Sequence, residues 1–125
     1  MQSDEFAEFF AGEVLLRFGF LVGAGWHEPE IEHVWRGSRV AYVSERMIVS
    51  VVLDRVDKRI VTVLRHTDTT ERADLAAAAK AAGLHPPPSG ARSRHAVIAT
   101  LTGQAALLRT LLALPDPEPD PERAV

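Results

Sequence analysis

A chain of 125 residues, 46% hydrophobic and 25% charged, has the size of one domain and the composition of a folded protein, which excludes disorder along its whole length. Cysteine is absent, which removes disulfides, thiolate nucleophiles and cysteine-based zinc sites and makes a reducing, cytoplasmic setting the simpler expectation. The net charge of −3 is accounted for by Asp116, Glu118, Asp120 and Glu122 against Arg123, so the remainder is close to neutral and lacks the basic field of a nucleic-acid binder.

The first residues carry acids and no basic region, so no signal peptide is expected, and no apolar run reaches the roughly 18 to 20 residues of a membrane span. Residues 3–18 read as a helix: Ser3 is the candidate cap, and Phe6, Phe10, Val14 and Phe18 recur every four residues as a core stripe. Gly19 is expected to end it in a left-handed conformation. Residues 20–26 alternate Phe20, Val22, Ala24 and Trp26 against smaller residues, which predicts a strand weakened by Gly23 and Gly25. Residues 27–33 then read as a polar loop.

From Val40 onward the pattern is β. Residues 40–43, 47–53 and 59–65 are rich in Val, Ile and Thr and are separated by short turns, as antiparallel hairpins require. On the middle strand Met47, Val49, Val51 and Leu53 share one face. Ile48, Ser50 and Val52 share the other, which is apolar enough to suggest a cover from a helix or another chain. Asp68 and Glu71 have capping-box spacing and predict a helix to Ala82, stopped by Gly83. Pro86, Pro87 and Pro88 form a stiff connector. A last helix over residues 92–114 carries Val97, Leu101, Gln104, Leu108 and Leu111 at alternating spacings of four and three. Because strands come in a block and not between helices, the expected fold is α+β: an N-terminal helix, an antiparallel meander of about four strands and two C-terminal helices. The expected organisation is one domain over residues 1–114 and a disordered, acidic, proline-rich tail over residues 115–125.

Chemistry-bearing residues gather at one place. His27, Glu28, Glu30, Glu32 and His33 offer imidazole and carboxylate ligands, but the spacing is not that of the helical HExxH motif and Pro29 breaks a helix there. A metal or small-ligand site centred on His27, Glu30 and His33 is the second functional reading. The first is a protein-contact surface, because Trp26 and Trp35 bracket the acids Glu28, Glu30 and Glu32, and tryptophan at a polar rim is a frequent hot-spot residue. Gln104 within the helical seam gives a third reading, a homodimeric scaffold in which a polar residue fixes the pairing register. The serines lie in no nucleophile-elbow context, and His66 with Asp68 is more simply a turn and a cap than a general base. Arg92, Arg94 and His95 make a small basic cluster at the start of the last helix. No cofactor, nucleic acid or membrane is expected as a partner, and no catalytic set is identified.

The run Leu16-Arg17-Phe18-Gly19-Phe20, followed by a meander with Ser44-Glu45-Arg46 and Asp54-Arg55, resembles small bacterial α+β proteins, some akin to the immunity proteins of polymorphic toxin systems. The resemblance extends to about Leu64 and carries over no functional residue. It implies a non-enzymatic protein that binds a protein partner stoichiometrically, for which acidic and partly apolar surfaces are suited.

Overall fold

The computed structural model describes residues 5–34, 36–69 and 71–113. Its elements, in chain order, are α1 (Glu5–Phe18), α2 (Phe20–Gly23), β1 (Glu30–Val34), β2 (Gly37–Val43), β3 (Met47–Asp54), β4 (Arg59–His66), β5 (Arg72–Asp74), α3 (Leu75–Ala81) and α4 (Arg94–Ala113). The strands form one antiparallel sheet in the order β1-β2-β3-β4-β5, so each strand pairs with its neighbour in sequence. The fold is α+β, as the blockwise arrangement of strand and helix signals predicts.

The phenylalanine stripe behaves as expected. Phe10, Val14 and Phe18 of α1 are fully buried, and Phe6 packs at the margin of the same cluster. They meet Val97, Leu101 and Leu108 of α4 and the even-numbered side chains of β2, Val40 and Tyr42. The α4 stripe that suggested a helix pair is thus spent on the chain's own core. Gln104, fully enclosed, accepts from the Thr62 hydroxyl at 2.7 Å and donates to the carbonyls of Ile60 and Pro88 at 2.8 Å each. Its amide ties α4 to β4 and to the proline connector, which is how a buried polar group avoids its desolvation cost.

Three local readings are corrected. Residues 20–26 are not a strand: α2 follows α1 after one residue, Leu21 is fully buried, and the Trp26 N–H donates to the Leu21 carbonyl at 3.0 Å. Gly19 accordingly has φ −61° and not the left-handed value, while Gly25, at φ 102°, makes the reversal. The alternation of Phe20, Val22, Ala24 and Trp26 was the wrong period for a segment whose core contact is Leu21. Second, residues 30–34 leave the expected loop and pair with β2, which gives the sheet five strands. Ile31 and Val34 favour extended backbone, and Gly37 permits the close return: a Cβ there would lie 1.9 Å from the Leu53 carbonyl oxygen.

Third, the helix cap is not Asp68. Residues 72–74 form β5, and Asp74 caps α3 by accepting from the Ala77 N–H at 2.8 Å. Gly83 does stop this helix, with φ 76°. The last helix begins at Arg94, where Ser93 caps it by accepting from the Ala96 N–H at 3.1 Å. Ser3 and the tail over residues 115–125 lie outside the described residues. Among the described residues, no helix is long and apolar enough to cross a membrane.

Candidate functional site

All the named helices that enter the core do so from one side of the sheet, so the strands are buried on alternate residues. On β3, Val49, Val51 and Leu53 are buried while Ile48, Ser50 and Val52 are half-buried; on β4, Ile60 and Thr62 are buried while Val61 and Val63 are not. Among the described residues, no element covers the second face, called the open face below.

Register sets its rows. Glu30 stands beside Ala41, Ser50, Val63 and Asp74 in one row, and Val43, Ile48, Arg65 and Arg72 make another. A third row runs from Glu32 to Arg39, Val52 and Val61. Together they form a shallow depression of about 450 Å³ with Val43, Ile48, Val52 and Val63 on its floor. Glu30, Arg39, Arg65 and Arg72 stand at its margin. Glu32 pairs with Arg39 at 3.4 Å. Across four inter-strand steps, acids on β1 lie roughly 19 Å from the arginine of β5. The face is apolar in the middle, with Glu30, Glu32 and Arg39 towards one side and Arg65, Arg72 and Asp74 towards the other.

The acidic segment is divided by the pleat. Glu30 and Glu32 point to the open face. His33 points to the other, where its Nδ1 meets the Ser38 hydroxyl at 2.8 Å. His27 precedes the strand and is held by its backbone, the N–H donating to the Val43 carbonyl at 2.9 Å. Among the described residues, no three His, Cys, Asp or Glu side chains are grouped to hold a metal ion. Of the two bracketing tryptophans, Trp26 is half-buried against the core cluster, and Trp35 lies outside the described residues. Glu28 is exposed in the segment between α2 and β1.

Glu28 also acts on Tyr42. That phenol is fully enclosed and its oxygen has no hydrogen-bond partner among the described residues. Burial, with the nearby Glu28 carboxylate as the lesser cause, pushes its pKa up to about 12. A buried neutral phenol fills space and offers no proton at physiological pH. His66 ends β4 and Asp68 lies in the turn that follows, both exposed, with no hydrogen bond between them.

Sequence reasoning found the acids of β1 and the apolar second face of β3, but it missed Arg39, Arg65 and Arg72. The alternation that singled out Ile48, Ser50 and Val52, extended across the neighbouring strands, finds Arg39 and Arg65; Arg72 needed β5, which the capping-box reading hid. No protein-family model matches this chain, and neither a curated protein nor a solved structure shows a significant similarity to it.

Proposed function

We propose that this protein is a non-enzymatic binding protein, of immunity or accessory type, that engages a protein partner through the open sheet face and the adjoining acidic β1 edge. The observation that carries this reading is the face left uncovered by the described residues, a floor of four valine and isoleucine side chains with charged residues at both sides. Side chains of this kind on a sheet usually lie under another layer.

Size decides how much of the surface takes part. Strands of 5, 7, 8, 8 and 3 residues, at about 3.3 Å per residue and about 4.8 Å apart, give a face of about 490 Å². A stable protein complex buries about 800 Å² on each partner. The face therefore needs a neighbour, and β1 supplies it: all five of its residues are exposed and, among the described residues, its outer edge carries no partner strand. Glu28, Glu30 and Glu32 give this edge its charge, which speeds encounter with a basic partner and discourages edge-to-edge pairing between copies. Trp26, half-buried against the core two residues before Glu28, contributes its exposed part. In this reading the binding is stoichiometric, takes place in the cytoplasm and uses no cofactor.

The reading is tested by affinity capture from the native host with the wild-type chain and three variants. Ile48→Asp and Val63→Asp set a charge on the floor, and Leu112→Asp sets one on an exposed part of α4. The first two abolish recovery of the partner and the third leaves it intact. Recovery unchanged by both floor variants would remove the open face from consideration. Glu30→Ala, with a smaller expected loss, measures the share of the β1 edge.

A further inference from the structure

Lys58, in the turn between β3 and β4, has φ 57°, and among the described residues every other positive φ belongs to a glycine. A lysine is strained there, where glycine or asparagine is the ordinary choice. Such residues persist where the surrounding structure fixes them, and they gather at ligand sites. Here the backbone on both sides is fixed. The Asp54 carboxylate accepts from the N–H groups of Val56 and Asp57 at 2.9 and 3.1 Å. The Lys58 carbonyl accepts from the Ala91 N–H at 2.9 Å, and the Ile60 N–H donates to the Ser89 carbonyl at 2.8 Å. Arg59 pairs with Gly90 between them. The turn and the connector that leads into α4 are thereby locked together.

That lock brings three cations round one hollow. Arg55 and Lys58 come from the turn and Arg92 from the connector; with Phe6, Leu53 and Ala91 they line a depression of about 280 Å³. Leu53 and Ala91 are at most 3% exposed and Phe6 packs against the core, so the floor is apolar and fixed. The Arg55 guanidinium lies 5.8 Å from the Phe6 ring centre, which holds it over that floor. Among the described residues, none that lines the hollow is acidic. The nearest acids in sequence are Asp54, engaged in the turn, and the exposed Asp57 and Glu5. Other depressions mix their charges: Glu30 lines the open face with its arginines, and Asp74 lines a cleft together with Arg59. Just beyond Arg92, Arg94 sits 4.7 Å from the Phe9 ring and adds to the positive field.

The chemistry of the lining selects the ligand. Guanidinium groups grip phosphate oxygens two at a time, and lysine adds a compact charge. Three cations suit a group with more than one negative charge, and a phosphate monoester carries about −1.5 to −2 at pH 7. The apolar floor takes an organic body. That body is small, because the hollow falls just short of the roughly 300 to 1,000 Å³ of drug-sized sites.

We infer that this hollow binds a small organic phosphate monoester, its phosphate held by Arg55, Lys58 and Arg92 and its apolar group laid against Phe6 and Leu53. Leu53 belongs to the covered face of β3, so the site is separate from the open face and goes beyond the protein-binding role.

The test follows backbone amide shifts of the full chain at low ionic strength in a phosphate-free buffer. The probes are phenyl phosphate, inorganic phosphate, phenol and a phosphotyrosine tripeptide. Saturable shifts at Phe6, Lys58 and Arg92 with phenyl phosphate, weaker binding of inorganic phosphate and none of phenol support the site. Arg55→Gln and Arg92→Gln each weaken binding about ten-fold, as loss of one charge-assisted contact does. Lys58→Gly weakens it by a similar factor yet leaves the melting temperature unchanged or higher, because glycine accepts the left-handed backbone. A merely structural lysine would not separate the two readouts. The amides of Val51 and Leu101 report that each variant stays folded. Binding unchanged in all three variants overturns the inference. So do shifts of equal size at Arg46, Arg65 and Arg72, the mark of general screening of surface arginines. Tighter binding of the tripeptide than of phenyl phosphate would assign the site to a phosphorylated protein and overturn the small-molecule ligand.

Discussion

Val49, Val51 and Leu53 are at most 1% exposed, whereas Ile48, Ser50 and Val52, interleaved with them on the same strand, are half-buried. The two sets hardly differ in hydrophobicity. They differ in what lies over them: α1 and α4 on one side, and no element of the described chain on the other. A residue's apolar character thus says that it wants cover, and the fold decides whether the chain itself supplies it. Where it does, the side chain stabilises the fold; where it does not, the surface is available to a partner.

The largest effect that sharpens this contrast is a paired truncation. Phe10→Ala, on the covered side, is expected to cost about 3 to 5 kcal/mol in urea unfolding, while Ile48→Ala costs about 1 kcal/mol because the side chain is only half removed from water. Equal losses would mean that the second face is as buried as the first and would end the comparison. Next comes Gln104→Leu, expected to cost about 2 to 3 kcal/mol because it leaves the Thr62 hydroxyl and two carbonyls unpaired inside the covered side. Adding Thr62→Val should recover part of that loss, since it removes one of the stranded groups. No recovery would mean that the amide acts chiefly through the proline connector.

The smallest effect concerns Tyr42, the chain's single tyrosine, which makes its ultraviolet titration unambiguous. With its pKa pushed up to about 12, against about 10 in the unfolded chain, the folded state holds the phenolic proton more tightly. Its contribution to stability is therefore complete below pH about 10 and declines as the pH rises toward 12. Glu28→Gln should lower the midpoint slightly, because the carboxylate is the lesser cause. A midpoint near 10 in the folded protein would show that the covered side admits water at Tyr42. Tyr42→Phe removes an unpartnered buried hydroxyl and is expected to leave stability unchanged or raise it by up to about 1 kcal/mol.

Much of the fold was legible because local periodicity and burial agree in the long elements. The stripe of Phe10, Val14 and Phe18, the Val-rich strands and the break at Gly83 each declare one structure. The segments that misled are short. At residues 20–26 an alternating pattern mimics a strand, yet the Leu21 contact and the turn at Gly25 win. At residues 68–74 a capping-box spacing competes with the cap at Asp74, and pairing with β4 decides in favour of a strand first. In the candidate site the acids were visible as a cluster, and alternation in an extended segment sets Glu30 and Glu32 on one side and His33 on the other. Which side is the open one was not visible, because it depends on pairing with β2.

The order of residues by itself determined the α+β class, the meander and the core helix stripes, since each follows from side-chain period and turn chemistry within a few neighbours. Only the tertiary structure decided which face of each strand the helices cover, that Gln104 serves the chain's own core, and that Arg65 meets Arg72 across a ladder. Those outcomes depend on strand register and on which apolar surface finds a partner first, and both are set by pairing and packing between elements and not by the pattern within any one of them.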